Sequence, residues 1–531
     1  TSLSIVTSSD NVDFNAGTIR VGENAFIIDT DTTDGPGATD GANITIDGDI
    51  IGLTKTGGGN TAADITFDGN VDGVITVQNI GHTSSTDNTE INAVSLKGVK
   101  TVTNGKINTV SNATDDLGTV TITGKLELGA NTTIETDTAS STTLDGGITI
   151  TGNIDATGSE TLTLSSGAGA IDIGGLIGSS DDLGNVAINS SGGTGTIAIE
   201  GVGTTGGTSG TASGATFDAG NTDTASITFD GDMYSFNGVT TFTAASVNTF
   251  INDQSEGNVT DFKTDDDDIT FSGGTLLVKQ TGVKIATSNG DVSVHSIDGI
   301  HDETVEINAG TGPVSIGRIG GSNGLTTNSG ADAVEGIHSV SITSSHATGI
   351  TLSGNITTSN LANNDVTMTG NVVISGDVDI DVNTASNDGD IKFTKTIKGD
   401  GATGDDDLIL DSGGGAISFD STNTTIGAGN VPLATLTINS SDSAVALTIP
   451  QIGDATHAGV SKAVTIGNTS TATVSMEDAI YRFGTGNVEI SAVSTGTGTT
   501  FSATDTNVNT GGGDFKIVNK MKVTAGTLDI N

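Results

Sequence analysis

One seven-residue phrase recurs along this chain and constrains its fold more than any single residue does. It reads branched apolar residue, Thr or Val, apolar residue, small polar residue, Gly, commonly Asp or Asn, and a final apolar residue. The copies are Ile44–Ile50, Ile65–Val71, Val120–Leu126, Ile148–Ile154, Ile227–Met233, Ile350–Ile356, Val366–Val372 and Val372–Val378. Each copy is a short alternating strand, a glycine corner and the start of the next strand. Such repetition predicts a solenoid or a stack of sheets.

The composition favours strands and turns over helices. The 531 residues include 78 Gly and only 4 Pro, with no Cys and no Trp. No stretch of ten or more residues has sustained helical spacing of apolar positions. Hydrophobic residues make up 33% and aromatic residues 3% of the chain, which is too little for a thick core. A core one coil wide, filled by Val, Ile, Leu and Ala, needs far less apolar volume.

A longer pattern starts near Leu162, Val305 and Leu408. Its skeleton is strand, Ser/Ala-Gly corner, strand, loop, strand, Ser-Ser corner, strand. The loops differ in length between copies, which a solenoid tolerates because only the stacking of coil on coil must be preserved. We therefore predict an all-β chain with a β-solenoid fold, similar to a parallel β-helix, with irregular loops and coils of about 20 to 30 residues.

The sequence indicates three regions. Residues 1–203 and 291–531 carry the β-repeats, and residues 204–290 form a central module richer in Phe. The Gly/Ser/Thr run at 204–214 is the best linker candidate, although it is equally a long surface loop. The aromatic clustering predicts a thicker subdomain or a local β-sandwich in the middle. The clustered residues are Phe217, Phe229, Phe236, Phe242, Phe250, Phe262 and Phe271.

The charge of the chain excludes several partner classes. It has 64 acidic and 18 basic residues and a formal net charge of −46. Nucleic acid is a poor partner because there is no basic patch to neutralise phosphates. Anionic membranes are disfavoured for the same reason, and no apolar run is long enough to insert into a membrane. Divalent cations would relieve the self-repulsion of so many short carboxylate side chains.

The best local motif for a metal site lies at 29–40 and reads DTDTTDGPGATD. Asp29, Asp31, Asp34 and Asp40 resemble the spaced carboxylates of a calcium loop, and Gly35 permits the sharp turn. The segment lacks the full EF-hand register and a closing Glu at position twelve. A calcium site and a solvated acidic loop are therefore both open readings of this segment.

Other clusters of ionisable residues are weaker candidates. Adjacent carboxylates in Asp265–Asp268 and Asp405–Asp407 point to opposite faces of a strand and serve one ion poorly. Asp377, Asp379 and Asp381 alternate so as to share one strand face, and three like charges there require a cation or an exposed position. Four histidines, His295, His301, His338 and His346, have no spacing that enforces a zinc site.

An enzyme is a weak interpretation of this sequence. Parallel β-helices host polysaccharide lyases and glycosidases, which need aromatic platforms, basic residues or paired acids in a groove. The chain has no Trp, two Tyr and three Arg, and no GxSxG elbow frames a nucleophile. We therefore expect no catalytic activity.

The stretch Ile148–Gly178, ITITGNIDATGSETLTLSSGAGAIDIGGLIG, resembles the degenerate repeats of filamentous-haemagglutinin-type adhesins and other bacterial surface β-strand-repeat proteins. Surface-layer proteins share the acidic, Cys-free, Thr/Asp/Gly-rich composition. The resemblance covers about two-thirds of the chain and consists of the composition and the spacing of the repeats. No secretion-domain motif and no GGxGxDxUx calcium repeat is present. It implies a secreted, elongated β-solenoid that works in adhesion or as a cell-envelope coat.

We expect an extracellular structural protein that assembles with copies of itself into a surface layer, sheath or filament and binds calcium. Unpaired strand edges would provide the route to assembly. Cell-envelope glycans are a second expected partner. The alternative is the rigid stalk of a large secreted adhesin, which would remain monomeric.

Overall fold

The structure is a computed structural model, and the statements below concern only the residues that it describes. These are residues 2–15, 17–22, 24–30, 41–52, 63–81, 91–109, 118–137, 145–190, 195–204, 210–220, 225–249, 259–278, 281–300, 303–321, 336–384, 387–401, 406–420, 424–427, 429–440 and 446–531. They contain strands and no helix. The chain divides into two compact units, of which the first is 1–253 with 260–275 and the second is 254–259 with 276–531. The predicted division at 203 and 290 stays a prediction.

The first unit contains twenty-two strands, and two further strands at its boundary with the second unit are named with it. In chain order they are β1 (Leu3–Val6), β2 (Val12–Phe14), β3 (Ile19–Val21), β4 (Phe26–Asp29), β5 (Ile44–Ile46), β6 (Ile50–Gly52), β7 (Ala63–Asp68), β8 (Val74–Val77), β9 (Ile91–Thr103), β10 (Lys106–Asn108), β11 (Val120–Leu128), β12 (Thr132–Glu135), β13 (Ile148–Ile150), β14 (Ile154–Ala156), β15 (Leu162–Ser165), β16 (Ile171–Ile177), β17 (Val186–Asn189), β18 (Thr196–Val202), β19 (Ala215–Asp218), β20 (Ser226–Phe229), β21 (Met233–Phe236), β22 (Thr240–Thr249), β23 (Val259–Thr264) and β24 (Ile269–Val278).

The second unit continues with short strands of the same kind. They are β25 (Gly282–Thr287), β26 (Val292–Gly299), β27 (Glu303–Asn308), β28 (Val314–Ile319), β29 (Ile337–Thr343), β30 (Ile350–Leu352), β31 (Ile356–Thr357), β32 (Val366–Thr369), β33 (Val372–Ile374), β34 (Val378–Asp381), β35 (Ile391–Phe393), β36 (Ile397–Gly399), β37 (Leu408–Gly413), β38 (Ile417–Phe419), β39 (Thr425–Ile426), β40 (Leu436–Ser440), β41 (Ala446–Ile449), β42 (Gln451–Ile452), β43 (Val464–Ile466), β44 (Thr473–Met476), β45 (Ile480–Arg482), β46 (Val488–Ser491), β47 (Gly498–Phe501), β48 (Asp505–Asn509), β49 (Phe515–Val518), β50 (Met521–Val523) and β51 (Thr527–Ile530).

One coil of the first unit shows how the strands stack. β13, β14 and β15 form three sides, and each pairs in parallel with a strand of the coil before it and one of the coil after it. Ile148, for example, lies between Val120 and Ile171. Strands that pair only with the neighbouring coils, all in parallel, define a β-solenoid. The predicted all-β solenoid is confirmed for this unit.

The second unit has the same construction. β32, β33 and β34 are three sides of one coil, and they pair in parallel with β29, β30 and β31 before them and with β35, β36 and β37 after them. A coil can be as short as 22 residues, from Val283 to its partner Val305. In the first unit a coil reaches 39 residues, from Phe26 to Ile65, because loops of different length leave the scaffold. The predicted upper length of about 30 residues was therefore too short.

The glycine of the recurring phrase marks a close approach between coils. A Cβ on Gly124 would lie 2.0 Å from the Gly98 carbonyl oxygen, and a Cβ on Gly152 would lie 2.5 Å from backbone atoms of Gly124. Gly124 also has a φ of 97°, a conformation that glycine adopts without steric cost. A side chain at either glycine would therefore clash with the backbone of the preceding corner.

The apolar positions of the phrase fill the interior in every copy except at Val71, which is exposed, and Met233, which is half-buried. In β13 and β14, Ile148, Ile150 and Ile154 are fully buried, while Thr149 between them is half-exposed. This alternation is the period-2 pattern of a strand with one face inward. The core of each unit is thus the narrow column of branched side chains inside the coils, as the composition indicates.

The Phe-rich stretch of the first unit lies inside the same coils. β19, β22 and β24 pair in parallel and place Phe217, Phe242 and Phe271 one above another. Their rings stack, with centroids 5.1 Å apart for Phe217 and Phe242 and 4.8 Å apart for Phe242 and Phe271. The predicted sandwich-like module is not formed by these strands, because in-register parallel stacking superposes like residues within one solenoid. Phe250 lies outside the described residues.

Candidate functional site

Of the four predicted calcium ligands, the structure describes only Asp29. Asp29 ends β4 and lies opposite Val6 in β1 and Asp68 in β7. Asp68 is already engaged, because its Oδ2 is 2.9 Å from Lys97 Nζ and its Oδ1 accepts a 2.8 Å hydrogen bond from the Asn70 amide. Asp31, Asp34 and Asp40 lie outside the described residues. Calcium binding by these four residues therefore stays a prediction.

The two acidic runs lie at turns and strand ends. Asp265–Asp268 occupies the turn between β23 and β24. Asp406 is buried and caps two amides, since its carboxylate oxygens accept hydrogen bonds of 3.0 Å each from Gly376 and Asp400. Asp405 lies outside the described residues. Across the described part of the chain, no group of three or more His, Asp or Glu side chains is arranged to hold a metal ion.

The described histidines are on separate elements. His295 is exposed on β26, His338 lies on β29 with Nε2 2.9 Å from the Ala362 carbonyl oxygen, and His346 lies in the loop before β30. His301 is outside the described residues. The three histidines whose positions are described therefore lie on different elements of the second unit.

The first unit contains a network of ion pairs that was not predicted from the sequence. Glu127 in β11 and Asp155 in β14 lie directly opposite each other on adjacent coils. Lys125 lies between them, with Nζ 3.0 Å from Asp155 Oδ2 and 3.7 Å from Glu127 Oε2. Lys100 in β9 adds a second cation, 2.7 Å from Glu127 Oε1. Two carboxylates that would repel each other are thereby neutralised by two lysines.

Asp155 is the most buried member of this cluster, with 1% of its surface exposed. The Ser180 amide donates a 2.8 Å hydrogen bond to its Oδ1, and the Ser179 hydroxyl lies 3.1 Å from both carboxylate oxygens. Burial alone would raise the pKa of Asp155, but the Ser180 amide and Lys125 lower it by more, so that the pKa lies below its ordinary value. The Asp155 carboxylate is therefore ionised although its side chain is buried.

The second unit contains an equivalent arrangement without a cation. Asp381 in β34 and Asp411 in β37 lie directly opposite each other on adjacent coils. The residue two before Asp381, which corresponds to Lys125, is Asp379. Asp379 and Asp381 are half-buried and Asp377 is exposed, so the row of carboxylates lies only partly in solvent. The sequence predicted the shared face but not the partner Asp411.

The pKa values of the two half-buried members reflect this surrounding. Burial, followed by the charges of Asp381 and Asp411, raises the pKa of Asp379 to about 6. Burial also raises the pKa of Asp381, in part offset by the hydrogen bond from the Asn383 amide, while Asp411 and Asp388 raise it further. Asp379 therefore binds a proton at pH values near 6, at which ordinary aspartates are ionised.

The only two tyrosines of the chain occupy matching places in the two units. The Tyr234 hydroxyl donates to the Ile199 carbonyl at 2.9 Å and accepts from the Gly231 amide at 3.1 Å. The Tyr481 hydroxyl donates to the Ile449 carbonyl and accepts from the Asp478 amide, each at 3.0 Å. Burial raises the pKa of both phenols. Their hydroxyls are used to join neighbouring coils, which is a structural role.

Of the ten exposed large apolar side chains among the described residues, five lie on three strands. Leu3 and Val6 of β1 are 59% and 57% exposed, and Met521, Val523 and Ile530 of β50 and β51 are 51%, 41% and 46% exposed. Among the described residues, β1 pairs with β4 alone, β50 with β47 alone and β51 with β48 alone. Each of these strands therefore combines an edge without a partner in the described chain with apolar surface.

Comparison with known proteins gives no match to a family model, to a curated protein or to a solved structure. Within the described residues, no helix is long and apolar enough to cross a membrane.

Proposed function

We propose that this chain is an extracellular structural protein that associates with copies of itself into a surface layer, a sheath or a filament. The observation that supports the proposal is exposed apolar surface on β1, β50 and β51, each of which has one edge without a partner among the described residues. Exposed strand edges and apolar patches are the usual routes of association between chains. A contact between unlike surfaces repeats from copy to copy and produces an open polymer when it does not close into a ring.

The interior of each unit supports a mechanical role. Parallel ladders join every coil described above to its neighbours, and the inward side chains are buried. Deformation of a coil would break several ladder hydrogen bonds and expose core residues at once. In this proposal the chain supplies stiffness and has no catalytic activity.

The acidic exterior supports a role for calcium in the assembly. The net charge of −46 makes copies of this chain repel one another. Calcium bound at Asp29, Asp31, Asp34 and Asp40 or loosely along the acidic surface would reduce that repulsion. Cell-envelope glycans are a second partner in this proposal, and the cell surface is the location at which both partners meet.

The second candidate is the rigid stalk of a secreted adhesin. It is favoured by the regular stacking of coils, because a spacer needs only stiffness and a soluble surface. The two candidates differ in one property, since a layer or filament subunit self-associates and a stalk stays monomeric.

Negative-stain electron microscopy with calcium and then with a chelator separates the two candidates. The proposal expects sheets or fibres that dissolve when calcium is removed, whereas isolated particles under both conditions support the stalk. The variant Met521→Glu/Val523→Glu should abolish the assemblies, because it places charge on the exposed strand. Val71→Glu is the matched control, since Val71 is also 56% exposed but lies in the turn between β7 and β8.

A further inference from the structure

A row of carboxylates runs across two coils of the second unit. Asp379 and Asp381 point outward from β34, and register places Asp381 opposite Asp411 and Asp379 opposite Ile409 of β37. On the other side of β34, Asp381 lies opposite Thr357 of β31. Like charges directly opposite each other on neighbouring strands destabilise the pairing. The row therefore needs a compensating charge or a proton.

The strands that pack against this row supply no positive charge. β31, β34 and β37 contain no Lys, Arg or His. β31 contributes only uncharged groups, including Asn355 before it, whose Oδ1 accepts a 3.0 Å hydrogen bond from the Asp379 amide. Among the described residues, the ionisable groups on and beside β34 and β37 are all carboxylates, namely Asp377, Asp379, Asp381, Asp388, Asp406, Asp407 and Asp411.

Hydrogen bonds distinguish the members of the row. Asp381 Oδ1 accepts from the Asn383 amide at 2.9 Å. Asp411 accepts from the Gly413 amide at 3.1 Å and from Asn439 Nδ2 at 3.0 Å. Asp379 Oδ1, in contrast, is a buried oxygen with no hydrogen-bond partner in the described chain. Donated hydrogen bonds favour the ionised form, so Asp381 and Asp411 are held as acceptors and Asp379 is the member that takes the proton.

We propose that the row Asp379–Asp381–Asp411 is a proton-operated clasp of the second unit. With Asp379 protonated, β34 stacks tightly on β37. When Asp379 loses its proton, repulsion along the row loosens the stacking of these two strands. The inference concerns the stability of one coil and holds for either of the two proposed functions.

The direction of the pH dependence follows from the raised pKa of Asp379, about 6 in the folded protein, against an ordinary value near 3.9. Between these two values the folded state binds more protons than the unfolded state, so stability falls as the pH rises. The stabilisation by the clasp is fully present below about pH 4 and is lost as the pH rises through about 6. An aspartate in a salt bridge, whose pKa is lowered in the folded protein, shows the opposite trend and at lower pH, since its stabilisation is lost as the pH falls below about 4.

Hydrogen exchange of the full chain tests the clasp, with rates corrected for the intrinsic effect of pH. The peptides to follow cover β34 and β37, with β46 to β48 of the same unit as internal reference. Wild type should lose about tenfold protection in β34 and β37, relative to the reference, between pH 5 and pH 7.5. Asp379→Asn should keep its protection at pH 7.5, because the amide carries no charge. Asp377→Asn, the exposed neighbour, should behave as wild type.

A second variant keeps the proposal testable if Asp379→Asn disturbs the coil. Asp411→Asn removes one of the charges that raise the pKa of Asp379, so the loss of protection should shift to lower pH. Unchanged pH dependence in both variants would overturn the proposal. Equal protection of wild type at pH 5 and pH 7.5 would also overturn it, as would calcium restoring full protection at pH 7.5, because a cation would then be the natural partner of the row.

Discussion

Two pairs of opposed carboxylates, one in each unit, share the same register but have opposite charge surroundings, because lysines neutralise the first pair and a third carboxylate accompanies the second. In the first unit Glu127 faces Asp155, and Lys125 two residues before Glu127 bridges both. In the second unit Asp381 faces Asp411, and Asp379 takes the place of the lysine. The pKa of Asp155 lies below its ordinary value, whereas the pKa values of Asp379 and Asp381 lie above it.

The comparison shows how a solenoid sets the chemistry of its surface. The backbone arrangement is the same at both places, with parallel coils that bring side chains of equal register face to face. The ionisation of a carboxylate then depends on the side chain diagonal to it, two residues along the strand, and on the amides of the following corner. Substitutions at positions 125 and 379 should therefore exchange the two behaviours.

The largest effect is expected for Lys125→Asp, which gives the first unit the carboxylate row of the second. Asp155 would be left buried without a cation and next to a third negative charge, at a cost of about 3 kcal/mol of local stability at pH 7.5. The cost should shrink as the pH falls and the carboxylates take up protons. Hydrogen exchange in β11, β14 and β16 measures it. An equal loss at pH 5 and pH 7.5 would show that charge is not the cause.

Lys125→Met should cost about 2 kcal/mol, because it removes the cation without adding a charge. The value is reduced from that of a fully buried pair, since 32% of the Lys125 side chain is exposed and the charge is screened by solvent. Lys97→Met is the matched control. It breaks the pair with Asp68, whose side chains are 46% and 26% exposed, and should cost less than about 1 kcal/mol. Equal losses for the two variants in hydrogen exchange would contradict the comparison.

Asp379→Lys converts the second unit to the arrangement of the first. The lysine would stand diagonal to Asp381 and Asp411, and we expect a gain of about 1 kcal/mol at pH 7.5, together with the loss of the pH dependence between pH 5 and pH 7.5. The readout is hydrogen exchange in β34 and β37. If Asp379→Lys is less stable than Asp379→Asn at pH 7.5, the diagonal position does not act in the second unit as it does in the first.

The smallest effect is expected for Ser179→Ala. It removes the hydroxyl that donates to Asp155 while the Ser180 amide and Lys125 remain, and should cost about 0.5 to 1 kcal/mol. The pKa of Asp155 should rise towards its ordinary value, which an Asp-specific carboxyl NMR titration detects. An effect as large as that of Lys125→Met would mean that hydrogen bonds rather than the lysine hold this carboxylate ionised.

The fold could be predicted from the sequence because its cause is local. The alternation in ITI of Ile148–Ile150 buries two residues and exposes one, and the following Gly152 stacks on Gly124 of the coil before it. Each feature is visible within seven residues of sequence. The solenoid follows from repeating them.

The charge pairs could not be predicted because their cause lies in the spacing between coils. The coil from Leu126 to Ile154 and the coil from Ile154 to Ile177 differ in length. The sequences of the loops that cause this difference do not indicate which residues of adjacent coils lie opposite each other. Lys125 and Asp155 each looked like an ordinary surface charge in the sequence. Only the stacking of β14 on β11 shows that one neutralises the other.

Engineered cysteine pairs test the register of the coils, on which the whole comparison depends. The chain has no Cys, so Glu127→Cys/Asp155→Cys and Asp381→Cys/Asp411→Cys can be oxidised without background. These in-register pairs lie about 5 Å apart along the stacking direction, within reach of a disulfide. The control pairs Glu127→Cys/Asn153→Cys and Asp381→Cys/Ile409→Cys are shifted by two residues and lie about 8 Å apart. We expect disulfide peptides in mass spectrometry from the in-register pairs alone. Equal or preferential cross-linking of the shifted pairs would contradict the account.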